Sequence, residues 1–361
     1  MGSDTVFYGV EKCVHRDLKA AIIFTAMKHF ILILLACCGS LNLHAQFQIG
    51  DAMVPTGGRA GALKDDDLET FKKSTTIFVV QPNDEPHIDD FRKSIAEMWT
   101  ITPFRVVTAD SMRHFRGKKY SLFSFGGFTI SRTSSSGMTT TSTHISYDLT
   151  IPNYNRKGEV DGRTILARFI LSPDLGTVSE LSRPGNTFEG KKAREERESS
   201  QGARLNKSAK YSNWGPGQIR GYLKAINDHL AAAKRRGIFD EIIEKSEIKA
   251  LARDTLYLPN YLNDKLNPFS RTEKTDEDDE VEEGAAKAYP FPHRYINKED
   301  LERLILNSSK PIYHLIYVRS SSNKYISVVE AQSGKIIYSL FHNISYNFKM
   351  KDLKKLASYV D

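Results

Sequence analysis

The chain of 361 residues is poor in cysteine, and its three, Cys13, Cys37 and Cys38, all stand near the start. Everything after position 38 is therefore without disulfides, thiolate zinc sites or cysteine nucleophiles. Tryptophan occurs twice, at Trp99 and Trp214; either could stack on a sugar, and a core or interface role is the expectation for both. Histidines 87, 114, 144, 229, 293, 314 and 342 are spread singly, with no H-E-x-x-H or H-x-H. No metal centre is predicted. The nearest approach, His87 beside Asp89 and Asp90, reads as a helix cap and dipole partner. A G-x-S-x-G elbow is missing, so no nucleophile–base pair can be assigned. The glycines of T56-G-G-R-A-G-A62 follow no predicted strand, which removes a phosphate-cradling loop. No catalytic residue, metal ligand or cofactor is therefore expected.

Long apolar runs are also scarce, with one exception, M27-K-H-F-I-L-I-L-L-A-C-C-G-S-L-N-L-H-A-Q46. Lys28 and His29 form a short positive segment, Phe30 to Cys38 an apolar stretch, and Leu43-His44-Ala45 before Gln46 a usable cleavage site. This predicts a secretory leader over 27–45, cut between Ala45 and Gln46, with 1–26 an upstream extension from a misassigned start. A transmembrane helix over 20–39 is the competing reading, but Lys28 and His29 would sit near its middle, where charge is expensive. A minority reading takes Leu34-Leu35-Ala36-Cys37 as a lipidation box, with the lipid on Cys37. All but the anchor reading lead to an exported protein in the periplasm, outer envelope or outside the cell, touching membrane only through a leader or lipid.

Removing the four basic and three acidic residues of 1–45 leaves 47 Lys/Arg against 41 Asp/Glu. Such a mild excess calls for no anionic partner. The charged stretch 183–212 mixes both signs, and its aromatics, Phe188 and Tyr211, stand towards its ends and not among the basic residues, so nucleic acid is not expected as a partner. The block Asp276-Glu277-Asp278-Asp279-Glu280 lacks the spacing and glycine of a calcium loop and reads as a linker, 270–288.

Pattern divides the rest. Residues 46–73 read as a flexible arm. Thr75–Val80 is a β-branched run, Ile88, Phe91, Ile95 and Met98 have helical spacing, and Pro103–Val107 is again strand-like, so an α/β sheet unit is predicted over 74–172. Two long strands, 120–131 and 144–151, flank a Ser/Thr-rich connection, and Gly126-Gly127 suggests a bulge or close backbone approach. A helical pair is predicted over 213–262, its first helix carrying Ile219, Tyr222, Leu223, Ile226 and Leu230 and ending at Gly237. A helix capped by Asn297, a strand, a hairpin turning at Ser333-Gly334 and a terminal helix fill 296–361. The fold class is α/β: a mixed sheet with a strand–helix–strand start, antiparallel hairpins and long middle helices.

Two resemblances follow. The Ala45-Gln46 junction, T255-L-Y-L-P-N-Y-L262 and the ending I326-S-V-V-E-A-Q-S-G-K-I-I-Y-S339 with I344-S-Y-N-F-K-M-K-D-L-K354 resemble uncharacterised secreted proteins of the Bacteroidota. More remotely, I77-F-V-V80 with its helix, F104-R-V-V-T-A-D-S-M112 and V328-V-E-A-Q-S-G-K-I-I-Y-S339 are similar to α/β envelope lipoproteins of the curli-secretion and peptidoglycan-synthase-activator type. That resemblance implies binding and assembly rather than catalysis, with an envelope protein or cell-wall polymer as partner. The alternative is an extracellular glycan or peptide hydrolase built from dispersed carboxylates, whose members cannot be chosen from sequence.

Overall fold

In the computed structural model of the chain, residues 46–51, 61–133, 137, 139–174, 176–177, 207, 209–267, 270, 272–321, 323–343 and 345–361 are described. Cys37 and Ala45, and nearly all of the 183–212 stretch, lie outside them.

The elements run β1 (Phe47–Ile49), α1 (Asp65–Lys72), β2 (Thr75–Val80), α2 (Ile88–Met98), β3 (Phe104–Thr108), β4 (Tyr120–Thr133), β5 (Thr139–Tyr154), β6 (Val160–Leu171) and α3 (Arg220–Ala231). They continue with β7 (Ile242–Ile243), α4 (Lys245–Ile248), β8 (Leu256–Pro259), β9 (Asp264–Asn267), β10 (Thr272–Thr275), α5 (Asp278–Ala288), β11 (His293–Ile296), α6 (Lys298–Asn307), β12 (Tyr313–Ser320), β13 (Asn323–Glu330), β14 (Lys335–His342) and α7 (Met350–Val360). Parallel and antiparallel strands mix with helices, an α/β fold. The described residues belong to one compact unit, Leu43–Asp361.

Strand order exposes a repetition. The first sheet runs β1-β6-β5-β4-β2-β3 and the second β7-β14-β13-β12-β8-β11. The three pairings at the first-strand end of each order are antiparallel and the two at the other end parallel. The last strand is paired with a register shift in both, at Leu149/Thr150 and at Val328/Val329. Each module thus starts on a short edge strand, makes two parallel strands around a helical crossover, adds an antiparallel meander and ends on a helix. The second inserts the β9–β10 hairpin before α5 and replaces a 3₁₀ turn, Ala109–His114, by α6. The first lengthens its hairpin: β4 and β5 stay paired to Thr133↔Thr139, whereas β12 and β13 close at Ser320↔Asn323.

α3 joins the modules. Its apolar residues Tyr222, Leu223, Ile226 and Leu230 recur at helical spacing and are all fully buried. They share one core with Phe78, Phe123, Tyr147 and Phe169 of the first sheet and with Ile316, Val318, Val329 and Ile336 of the second. The opposite face of the second sheet, Leu315, Tyr317, Val328 and Leu340, packs on α5 and α7. Gly221 lets α3 press on β13, since a Cβ there would lie 2.8 Å from Val329 Cγ1. Arg220, itself buried, donates from Nε to Ala331 O (2.7 Å) and from Nη2 to Gln332 O (3.0 Å), and pairs with Glu97 of α2 at 2.5 Å.

Several expectations need correction. The arm 46–73 includes β1 and α1, with Phe47, Ile49, Leu68 and Phe71 in the core; two buried apolar residues, Phe47 and Ile49, and pairing to β6 suffice to order so short a strand. The second helix of the 213–262 pair is only α4 and a 3₁₀ turn, preceded by β7, because Ile242 and Ile243 complete the second sheet's edge. α3 stops at Ala231, where Ala233 turns left-handed (φ 52°) and Lys234 N reaches His229 O at 2.8 Å. The acidic stretch 270–288 carries β10 and α5, whose Val281 and Ala285 are buried. Of the two readings of Gly126-Gly127, the bulge fails, because β4 and β5 pair there in unbroken register, and the close backbone approach holds, because a Cβ at Gly127 would lie 3.0 Å from His144 O; one at Gly126 would lie 3.0 Å from Asp148 Oδ2. Asn297 caps α6 as expected, accepting from Asp300 N at 2.7 Å.

Candidate functional site

Among the described residues, four of the buried or half-buried ionisable and hydrogen-bonded clusters bear on function, and three of these four hold the fold. Lys324 of β13 and Asp352 of α7, both buried, form an ion pair; Lys324 Nζ also donates to Asn347 O (3.0 Å) and Asp352 accepts from Lys349 N (2.8 Å). The pair fastens the terminal helix to the second sheet. Arg168 and Asp148 pair at 3.3 Å on the first sheet, with the guanidinium 4.3 Å above the Phe128 ring. Burial raises the Asp148 carboxyl above the ordinary range, against the pull of Arg168. Glu302 of α6 accepts from Gly217 N (2.7 Å) and Gln218 N (3.2 Å) at the approach to α3. A carboxylate placed against free amide N–H groups is an anchor for that turn.

The fourth cluster has the look of catalysis. His144 Nδ1 lies 2.8 Å from Ser320 Oγ. Both residues are buried, however, one on each module, and the imidazole stacks on Phe128 at 5.1 Å. A nucleophile must reach substrate, so this contact joins the modules and attacks nothing. The tryptophans are core residues: Trp99 Nε1 donates to Thr102 Oγ1 and Trp214 Nε1 to Asp84 Oδ2, each at 2.9 Å. His87 makes a long, exposed pair with Asp90 at 3.8 Å. Gln46 is buried; its Oε1 accepts from Tyr222 Oη and its Nε2 donates to Ile316 O at 3.4 Å. Among the described residues no group of three or more His, Cys, Asp or Glu is placed to hold a metal, and no helix is long and apolar enough to cross a membrane.

Among the described residues a groove of about 360 Å³ opens where the modules meet. Its lining comes from β1 (Phe47), α3 (Lys224, Ala225, Asp228, His229), the connection to and past β7 (Arg236, Ile242, Glu244) and the β13–β14 turn (Ser333 to Ile336). Phe47, Ala225, Ile242 and Ile336 give an apolar floor; the charged residues rim it. Gly334 sets the wall: it is left-handed (φ 68°), and a Cβ would fall 2.6 Å from Met98 Sδ and 2.8 Å from Lys224 Cβ.

No family model, curated protein or solved structure matches this chain.

The groove's polar groups are unequal. Lys224 is paired with Asp228 and Lys335 with Glu247. Arg236 Nη2 donates to Asp240 O (2.8 Å) and Glu241 O (3.0 Å), and its guanidinium lies 5.0 Å over Phe47. His229 stands edge-on to the same ring at 5.5 Å and 78°, its Nδ1 2.8 Å from Ala225 O. Burial lowers the His229 pKa, outweighing the hydrogen bond to Ala225 O that raises it, and Arg236 adds to the lowering, so the ring is neutral near pH 7. A carbonyl only accepts, so Nδ1 carries the proton and Nε2 is a free acceptor. Sequence reading could not find this set: its members lie between positions 47 and 336, and each alone is an ordinary surface or core residue.

Proposed function

We propose that this chain is an exported, non-enzymatic binding or assembly protein that engages its partner at the groove between its modules. One observation carries the reading: the groove has an apolar floor rimmed by charge, whereas the buried ionisable clusters serve as clamps for the fold. An apolar floor with a few convergent polar groups is the usual build of a recognition site. The leader-like run over 27–45 and the resemblance to envelope proteins that work by assembly support the export and the class of function.

The test is retention on an envelope fraction. Full-length protein and an Ile242→Asp variant, matched in circular dichroism and melting temperature, are incubated with purified cell-envelope fractions and recovered by sedimentation. Retention of the wild type with at least a tenfold loss in the variant, about 1.4 kcal/mol, is expected. Equal retention of both, or steady release of sugar or peptide fragments by the wild type, would overturn the reading.

A further inference from the structure

The groove's free hydrogen-bonding groups define what it recognises. Of the five guanidinium protons of Arg236, the two on Nη2 are engaged and the one on Nε is buried, leaving Nη1 as the donor that can meet a ligand. His229 Nε2 is an acceptor, fixed by the Nδ1 contact to Ala225 O. Glu244, also in the lining, adds a negative charge that acts on Arg236. Donor and acceptor flank one aromatic ring, Phe47. A lone carboxylate would satisfy Arg236 and be repelled by the His229 lone pair and by Glu244; an ammonium would do the reverse. A secondary amide, with its C=O and N–H side by side, satisfies both.

The floor and the sheet edge decide between the two common carriers of such an amide, a peptide and an N-acetylated sugar. Ala225, Ile242 and Ile336 are aliphatic and offer nothing to a sugar's hydroxyls. Ile242 belongs to β7, which pairs with β14 on one side and forms the edge of the second sheet. An open edge takes an extended chain, with main-chain hydrogen bonds for affinity and a side-chain pocket for selectivity. The volume, about 360 Å³, fits one apolar side chain and its flanking peptide units.

We infer that the groove is a receptor for an extended peptide segment: one main-chain amide is read by Arg236 Nη1 and His229 Nε2, and an apolar side chain sits on the Ile242–Ile336 floor. The inference rests on the groove being the binding site, and the test separates the two. Full-length protein is titrated, with calorimetric and NMR readout, with acetylated and amidated tripeptides carrying alanine, valine, leucine or phenylalanine at the centre. Matching depsipeptides, whose central amide is an ester, and N-acetylglucosamine trimer are run beside them. Binding of the valine or leucine peptide is expected, weakened about tenfold or more by the ester and by His229→Phe, which keeps the ring on Phe47 but removes the acceptor. Peptide binding insensitive to both changes overturns the amide reading. Binding of the sugar without the peptides overturns the peptide assignment and leaves the groove a binding site. Failure of every probe to shift any groove resonance overturns both.

Discussion

His314 offers the sharpest quantitative test of the fold. It lies on β12, on the face shared with Ile312 and Ile316, fully buried, and neither ring nitrogen has a partner. Burial pushes its pKa down from 6.5 to about 3. The sign of the linkage follows directly. Between those values the unfolded chain binds a proton that the native chain does not, so stability is complete above about pH 6.5 and is lost as pH falls. At about 1.36 kcal/mol per unit, acidification to pH 5 removes roughly 2 kcal/mol through this residue alone. His314→Leu, of similar volume, removes both the titration and two unmet nitrogens. The variant should match or exceed wild-type stability at pH 7, by up to about 3 kcal/mol. Its advantage should then widen by about 2 kcal/mol at pH 5. Urea unfolding at both pH values measures this; His229 and His342, also lowered by burial, are common to both proteins and cancel. An unchanged gap between pH 7 and pH 5 would refute the assignment of a neutral, unpartnered His314.

Three further outcomes are expected. Gly334→Ala places a methyl against Met98 and Lys224 in a left-handed turn, and should cost at least about 2 kcal/mol in urea unfolding while broadening NMR signals of the groove wall. Arg220→Lys keeps the charge but loses the fork that reaches Ala331 O, Gln332 O and Glu97 together; a loss of about 2–4 kcal/mol is expected, and one below 0.5 would count against the clamp. Lys324→Met strands Asp352 in the core at about 3–5 kcal/mol, whereas adding Asp352→Leu should recover at least about 1 kcal/mol despite losing the α7 cap, a coupling that a double-mutant cycle measures.

The individual elements were legible where one physical signal dominated. Apolar spacing marked α2, α3 and α7, the β-branched run marked β2, and Asn297 and Ser333-Gly334 marked a cap and a turn. What failed were elements whose order comes from elsewhere. β1 and β7 are too short to carry a period and exist because β6 and β14 offer them edges. α5 reads as a charge block because its buried side chains among those described are Val281 and Ala285, with Met350 packed against Gly284. The repetition of the modules was hidden for a related reason. Equivalent strands keep a burial pattern more fully than residue types: Tyr120-Ser-Leu-Phe occupies the place of Tyr313-His-Leu-Ile beside β2 and β8, sharing the tyrosine and the leucine but not the other two residues. No part of the groove was legible, since a site spread over four elements leaves no local spacing to read.

The pairing of each module's first strand with its last has a consequence for synthesis. β1 leaves the ribosome early, but its partners on β6 follow only about 120 residues later, and Ile49 also exchanges main-chain hydrogen bonds with Arg236 beyond α3. Closing such long loops is slow compared with making helices or hairpins. A stretch translated well before its partners is therefore among the last to be fixed, and Phe47, part of the groove floor, reaches its place only once the whole first module has emerged. Maturation of the groove then reports completion of that module, and a nascent chain stopped before Arg236 should expose the β6 edge as a ready template for pairing with another copy.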